Sequence, residues 1–426
     1  MDAASKIASP APKKPRAPKA KVPRKAKLSS VPVDAKPIPA DPDAALQCMV
    51  PIAELRKAIC RMSTIVDMKS SMPMLHHVMV AADGNAITIT ATDQNLSLTM
   101  TIAQDHYHSG SGAVAIECRR LRDLLKALPD SIATIDANKL ASQTRVFVDD
   151  CTARLFSLPT RDFPKTPQRT ADWHTIDAGV LRAMLEETIP TVCHDETRFH
   201  LNGVFVESCD GESIVAVSTD GHRLTKTKRM MASSFQTRAS GSVGGIVIPE
   251  KAVRELVRNL SDGSCQVAMQ WPYLFVQQDN WTLAIKLIDC QYPPYQQVIP
   301  QDHKLLVTCD RRKLIDACKR AKVLCSDTRG LRMKVDAGAL VIESDDPDVG
   351  ELRERVPADY NKASTNIVVG ANTEYLRTAL EQMSDDSCVL GISNELDPIS
   401  VRGLDDAAMR SVDDAEFMAI IMPMRV

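Results

Sequence analysis

The sequence predicts an α+β chain built from three tandem copies of one unit, each with two helices and mostly antiparallel strands. Three observations predict it. Amphipathic stretches of one kind recur three times, ~130 residues apart. Each is followed by two alternating strands that end in similar turns. Each unit then closes on a strand that runs into a second amphipathic stretch. One such match means little; three in the same order mark a repeat.

The first helices are expected at Pro51 to Val66, Asp177 to Val192 and Asp310 to Cys325. Leu55, Ile59, Met62 and Val66 form a stripe at helical spacing in the first, and Leu314, Cys318, Ala321 and Leu324 repeat it in the third. The next strands start near Leu75, Leu201 and Leu331. The alternating strands after them end in turns at Asn95, His222 and Asp348. Short strands at Ala113–Ile116, Ile246–Ile248 and Ile367–Val369 then lead into the second helices. The units are expected at residues 46–170, 171–301 and 302–426.

Residues 1–45 stand apart. They are mostly Ala, Pro and Lys, with prolines every few positions, so neither a helix nor a core is expected there. Residues 1–30 carry nine Lys or Arg against one acid, Asp2, a formal +8; with −2 overall, the rest of the chain carries −10. A solubilising linker, an arm for nucleic-acid phosphates and an organelle transit peptide all remain open.

Composition excludes several classes. No apolar run approaches the roughly 18 residues that cross a bilayer, and no apolar leader opens the chain. The 12 cysteines include no CxxC pair, which fits reduced thiols in the cytoplasm better than a disulfide framework or a zinc site. His76-His77 and His106 with His108 lack companion ligands at metal spacing. Ser218, Asp220 and His222 look like a nucleophilic triad on paper, but residues so close on one turn rarely converge. No Walker-type loop is present, so no cofactor is expected.

The polar helix faces are basic. Arg56, Lys57 and Arg61 lie on the first helix, and Arg119, Arg120, Arg122 and Lys126 on the second. Lys251, Arg254 and Arg258 follow in the middle unit, then Arg311, Arg312, Lys313, Lys319, Arg320 and Lys322 in the third. On a body that is acidic overall, this division points the helices toward a polyanion gripped through its phosphates. The first helix of the middle unit departs from it, with Arg182 against Glu186 and Glu187.

Several segments carry a resemblance: Arg198–Glu207 (RFHLNGVFVE), Ser218–Leu224 (STDGHRL), Tyr292–Pro300 (YPPYQQVIP) and the terminal Met422–Val426 (MPMRV). Met72–Leu75 and Leu158–Pro164 support it. Together they make the chain similar to the bacterial β sliding clamps, the processivity subunits of DNA polymerase III, from residue 46 onward. The basic arm is outside the family pattern.

The resemblance implies three DNA-clamp units per chain and a head-to-tail homodimer closed into a ring. Duplex DNA would thread the hole, and polymerases and an ATP-dependent loader would dock through short peptides. It places the peptide cleft on Leu201, Thr219, Gly221, His222, Arg223, Leu224, Pro293, Val298, Met422, Pro423, Met424 and Arg425. The apolar members would form an adaptable groove, with Arg223 and Arg425 at its rim. It adds Lys69 and Arg198 to the DNA-facing set of Arg56, Arg61, Arg122, Lys126, Arg254, Arg258, Arg312 and Lys319. Leu155, Val323 and Leu324 would meet at the subunit seam. Gln297, Pro398, Val426 and His200 depart from the family pattern. The alternative is a paralogue that keeps the fold without forming a working ring.

Overall fold

The computed structural model describes residues 46–83, 86–103, 111–137, 142–209, 212–231, 245–325, 329–361, 367–404 and 415–425. The arm 1–45, His106, His108 and Val426 lie outside them. The first unit runs β1 (Leu46–Pro51), α1 (Ile52–Met62), β2 (His77–Asp83), β3 (Ala86–Thr92), β4 (Leu96–Ala103), β5 (Ser111–Glu117), α2 (Cys118–Ala127), β6 (Ile132–Ala137), β7 (Gln143–Val148) and β8 (Cys151–Leu158). The second repeats it as β9 (His174–Asp177), α3 (Ala178–Thr188), β10 (Gly203–Cys209), β11 (Ser213–Thr219), β12 (Arg223–Met230), β13 (Ile246–Pro249), α4 (Glu250–Asn259), β14 (Ser264–Gln270), β15 (Tyr273–Gln278) and β16 (Trp281–Lys286). The third is β17 (Leu305–Asp310), α5 (Arg311–Val323), β18 (Gly330–Asp336), β19 (Ala339–Asp346), β20 (Gly350–Tyr360), β21 (Val368–Asn372), α6 (Thr373–Gln382), β22 (Ser387–Ile392), β23 (Ile399–Gly403) and β24 (Phe417–Ile421).

Local chemistry sets the helix ends. The Asp177 and Asp310 carboxylates accept the N–H groups of Val180 and Lys313, and Asn372 caps α6 through Glu374 and Tyr375. The first helix stops at Met62, short of Val66, because the Ser63 and Thr64 hydroxyls take the Cys60 and Arg61 carbonyls. In the second unit Pro190 ends α3 early and leaves a short 3₁₀ turn, Ile189–Thr191.

The strands form two twelve-stranded sheets, and each crosses from one unit into the next. β4 pairs antiparallel with β16, Leu98 facing Leu283, which joins the first unit to the second. β12 pairs with β24 in the same way, Thr225 facing Ala419, which joins the second to the third. The helices cover one face, where Leu55, Ile59, Leu121, Leu256, Leu314 and Leu376 are buried. Besides the strands that end the two sheets, β1, β9, β13 and β21, two inner strands are open along part of one edge among the described residues. β8 bonds only β7 over residues 151–156, and β20 bonds only β19 over 350–357.

Candidate partner-peptide cleft and nucleic-acid face

The turn between β11 and β12 is fixed by its own side chains. Gly221 sits at φ +89°, a left-handed conformation that favours glycine. The Thr219 hydroxyl donates to the Arg223 carbonyl at 2.7 Å and accepts the Gly221 N–H at 3.1 Å. Asp220 accepts the N–H groups of His222 and Arg223 at 2.9 and 3.1 Å and the Arg223 Nε at 2.9 Å. Arg198 Nη1 donates to the Asp220 carbonyl at 3.2 Å, so this expected DNA contact also braces the turn.

The C-terminal segment forms the facing wall. After β24, the Met422 N–H donates to the His222 carbonyl and the Met424 N–H to the Gly370 carbonyl, both at 2.9 Å. Met422, Pro423 and Met424 are half-buried and Arg425 is exposed. Beneath lies an apolar cluster that unites Leu201 and Leu224 with Phe205, Tyr292, Tyr295, Met418 and Ile420, with Val298 packed against it. Tyr292 stacks on Phe205 with ring centroids 4.7 Å apart, and the Tyr295 hydroxyl donates to Glu207 at 2.6 Å. Burial pushes both phenols well above their ordinary range, so they stay neutral. Pro293 is half-buried next to Tyr292.

Arg223 requires a correction. Its side chain is only 16% exposed, bound to Asp220 and laid over the Tyr375 ring of α6 at 4.5 Å, so it locks the second unit to the third instead of lying open at the rim. Sequence reasoning missed Tyr375, 152 residues from Arg223, and the stacking role of Phe205. The apparent triad does not assemble. Ser218 is buried and bonds Thr188 and Thr191, and His222 meets Asp220 through its backbone N–H.

The basic helix faces divide into committed and available cations. Arg56 is committed, which corrects the expectation that it faces DNA. It donates to the Leu125 and Leu128 carbonyls at 2.7 and 2.8 Å and pairs with Asp130 at 2.7 Å, capping the C-terminal end of α2. Arg182 and Asp262 repeat the pairing in the second unit at 3.4 Å. Arg311 repeats the capping in the third by donating to the Leu380 and Asp385 carbonyls. Arg61 is half-buried, and desolvation lowers its pKa despite Asp279.

Lys69 and Lys126 are exposed and make no ion pair among the described residues. Arg122 pairs with Asp123, Arg254 with Glu250, Arg258 with Glu255, and Lys319 with Asp316, at 2.5 to 3.4 Å. Arg312 lies 3.6 Å from Asp386 and is 78% exposed. Glu255 is buried and also accepts the Thr64 hydroxyl, so Arg258 is held at one end. Exposed pairs such as Lys319–Asp316 and Arg312–Asp386 contribute ~0.2–1 kcal/mol each, so a phosphate can displace the acid.

Leu155 is half-buried against the first core, while Val323 is 73% exposed at the end of α5 and Leu324 half-buried beyond it. They lie in different units, Leu155 against the first core and Val323 and Leu324 at the end of the first helix of the third unit. Phe156, 81% exposed on the unpaired edge of β8, escaped sequence reasoning. Among the described residues no cluster of His, Cys, Asp or Glu suits a metal, and no helix is long and apolar enough to cross a membrane. His76 and His77 bond loop carbonyls.

Three family models match in order: the DNA polymerase III beta subunit N-terminal domain over residues 46–167, its central domain over 175–294 and its C-terminal domain over 296–425. The beta sliding clamp of Pseudomonas putida is 27% identical over 378 residues, covering 87% of this chain and 98% of that protein. The beta sliding clamp of Escherichia coli is 25% identical over 382 residues, with coverage of 87% and 98%. The crystal structure of the DNA polymerase III subunit beta from Pseudomonas aeruginosa aligns with TM-score 0.81 at 24% identity, covering 89% of this chain and all of that one. A griselimycin-bound sliding clamp from Bartonella birtlesii aligns with TM-score 0.80 at 25% identity, covering 90% of this chain and all of that one.

Proposed function

This chain belongs to the DNA polymerase III beta subunit family of sliding clamps, and from that premise we propose that two copies close head to tail into a ring of six units around duplex DNA. The observation that carries this reading is the pair of orphan edges. Each joint inside the chain pairs the last strand of one unit's first meander with the last strand of the next unit's second meander, as β4 with β16 and β12 with β24. The same rule leaves β20 and β8 for each other, and they reach each other only in a second copy.

The repeat also gives the register. Leu352 holds the place of Leu98, each facing the inward residue before its turn, Ser344 and Ala91. Ala153 holds the place of Leu283, two residues past the start of its hairpin strand. Ala153 therefore faces Leu352 of the partner subunit, and both already pack against their own cores. Arg154 then faces Glu351 of the partner subunit, an attractive pair, with Leu155 and the end of α5 beside the seam.

A ring holds its track by enclosure, so exchangeable phosphate contacts suffice and the ring itself catalyses nothing. The cleft offers Met, Leu and Val surfaces to the apolar anchors of polymerase and loader peptides, and the loader supplies ATP hydrolysis. The working place is the nucleoid. Retention on DNA tests the reading: the purified protein stays on nicked circular DNA and runs off linear DNA. Equal loss from both refutes enclosure.

A further inference from the structure

Cys309 of β17 and Cys388 of β22 face each other directly in the antiparallel ladder, with 3.5 Å between their sulfurs. Facing residues in such a ladder have Cα atoms about 4.5–5.5 Å apart, inside the ~4.4–6.8 Å span that a disulfide bridges. Both thiols belong to the core of the third unit, 4% and 0% exposed.

The repeat shows how particular this position is. The residue before the helix cap and its cross-strand partner are Val50 and Ala133 in the first unit, Ile176 and Cys265 in the second, and Cys309 and Cys388 in the third. Only the third unit places two sulfurs there. Cys265, equally buried and facing Ile176, is a built-in control.

We propose that Cys309 and Cys388 form a redox latch that hydrogen peroxide closes into a disulfide. The hydrogen bond with Cys388, together with burial, raises the Cys309 pKa, so Cys309 rests as a neutral thiol and reacts during local opening. One thiol, as its thiolate, attacks a peroxide oxygen; the O–O bond breaks, and a sulfenic acid and one water result. The second sulfur displaces the sulfenic hydroxyl, the S–S bond forms, and the hydroxyl leaves with the second thiol proton as another water. Both sulfurs are oxidised and the peroxide is reduced. The closed latch staples β22 to β17, whose other edge carries β20, and so stiffens the sheet next to the proposed seam.

The test treats the full chain with peroxide, removes the excess with catalase, unfolds it in N-ethylmaleimide and maps the peptides by mass. The expected result is a Cys309–Cys388 peptide pair lighter by two hydrogens, reversed by dithiothreitol, with Cys265 fully labelled and the melting temperature raised. Cys388→Ala copies the small partner of the Val50–Ala133 pair, and Cys309→Ile copies Ile176. Each should abolish both the cross-link and the rise. Maleimide on both cysteines while the exposed Cys151 oxidises, or sulfinic acid at either site, overturns the proposal. The wild-type map decides the matter even if a variant fails to fold.

Discussion

Arg223 of β12 lays its guanidinium over the ring of Tyr375 on α6, 4.5 Å from the centroid, while Asp220 holds its Nε at 2.9 Å. The proposed peptide cleft thus borders a contact between two units. Lysine keeps the charge at this position but loses the planar stack. Arg223→Lys and Tyr375→Leu should each weaken binding of a Leu- or Phe-anchored peptide by roughly 2- to 30-fold, the range of a cation–π contact of about 0.5–2 kcal/mol. In a double-mutant cycle by titration calorimetry the two losses should not add. Full additivity would show that the stack does not shape the groove.

Removing Met422 to Val426 takes away the wall that bridges the His222 and Gly370 carbonyls, but neither β8 nor β20. Peptide binding should disappear, while light scattering still reports a dimer. A truncated chain that binds peptide normally would place the groove elsewhere.

Charge reversal probes the seam register. Arg154→Glu should oppose Glu351 of the partner subunit and shift the protein toward monomer, with a dimer constant weakened roughly 10-fold or more for like charges brought together. Glu351→Arg alone should do the same, and the double variant should recover the dimer. Sedimentation at several concentrations reads the outcome; failure of the double variant to recover would contradict the register.

The units were legible because periods of 3.6 and 2 are local. Leu55, Ile59 and Met62 announce their helix face and are buried on it, and Val66 is buried beyond the helix end. Leu324 continued the pattern of α5, yet the helix ends at Val323 and leaves it half-buried. The rest depended on contacts across long separations. Nothing near Arg56 in sequence shows that its guanidinium is taken by carbonyls 69 and 72 residues away. The open edges of β8 and β20 stand out only once the joints β4–β16 and β12–β24 are seen, because those joints show which strands pair between units.

Glu374 predicts an acid response in the third unit. It binds Arg377 on its own helix and Lys322 of α5 at 3.1 Å, which holds its carboxyl near 2, below the ordinary 4.5. A depressed carboxyl stabilises the fold above its unfolded pKa, and that contribution fades as pH falls from about 4.5 through about 2. Glu374→Gln should lower stability at pH 7 by on the order of 1–3 kcal/mol and flatten the pH dependence in that window. Urea midpoints between pH 5 and pH 2 provide the measurement. Parallel curves for the variant and the parent protein would show that the pair contributes nothing.

The basic arm separates enclosure from adhesion. Residues 1–45 precede the first family match, and the nine cations before Ser30 lie outside the clamp units. Each phosphate they neutralise should steepen the fall of log K with log salt by about 0.9. Deleting residues 1–40 should therefore weaken nonspecific affinity for linear DNA at low salt and make the salt slope shallower. Retention on circular DNA should persist, because a closed ring needs no adhesion. Filter binding across a salt titration supplies the slope. Unchanged affinity at every salt concentration would leave the arm a linker, and loss from circular DNA would mean that adhesion holds the protein there.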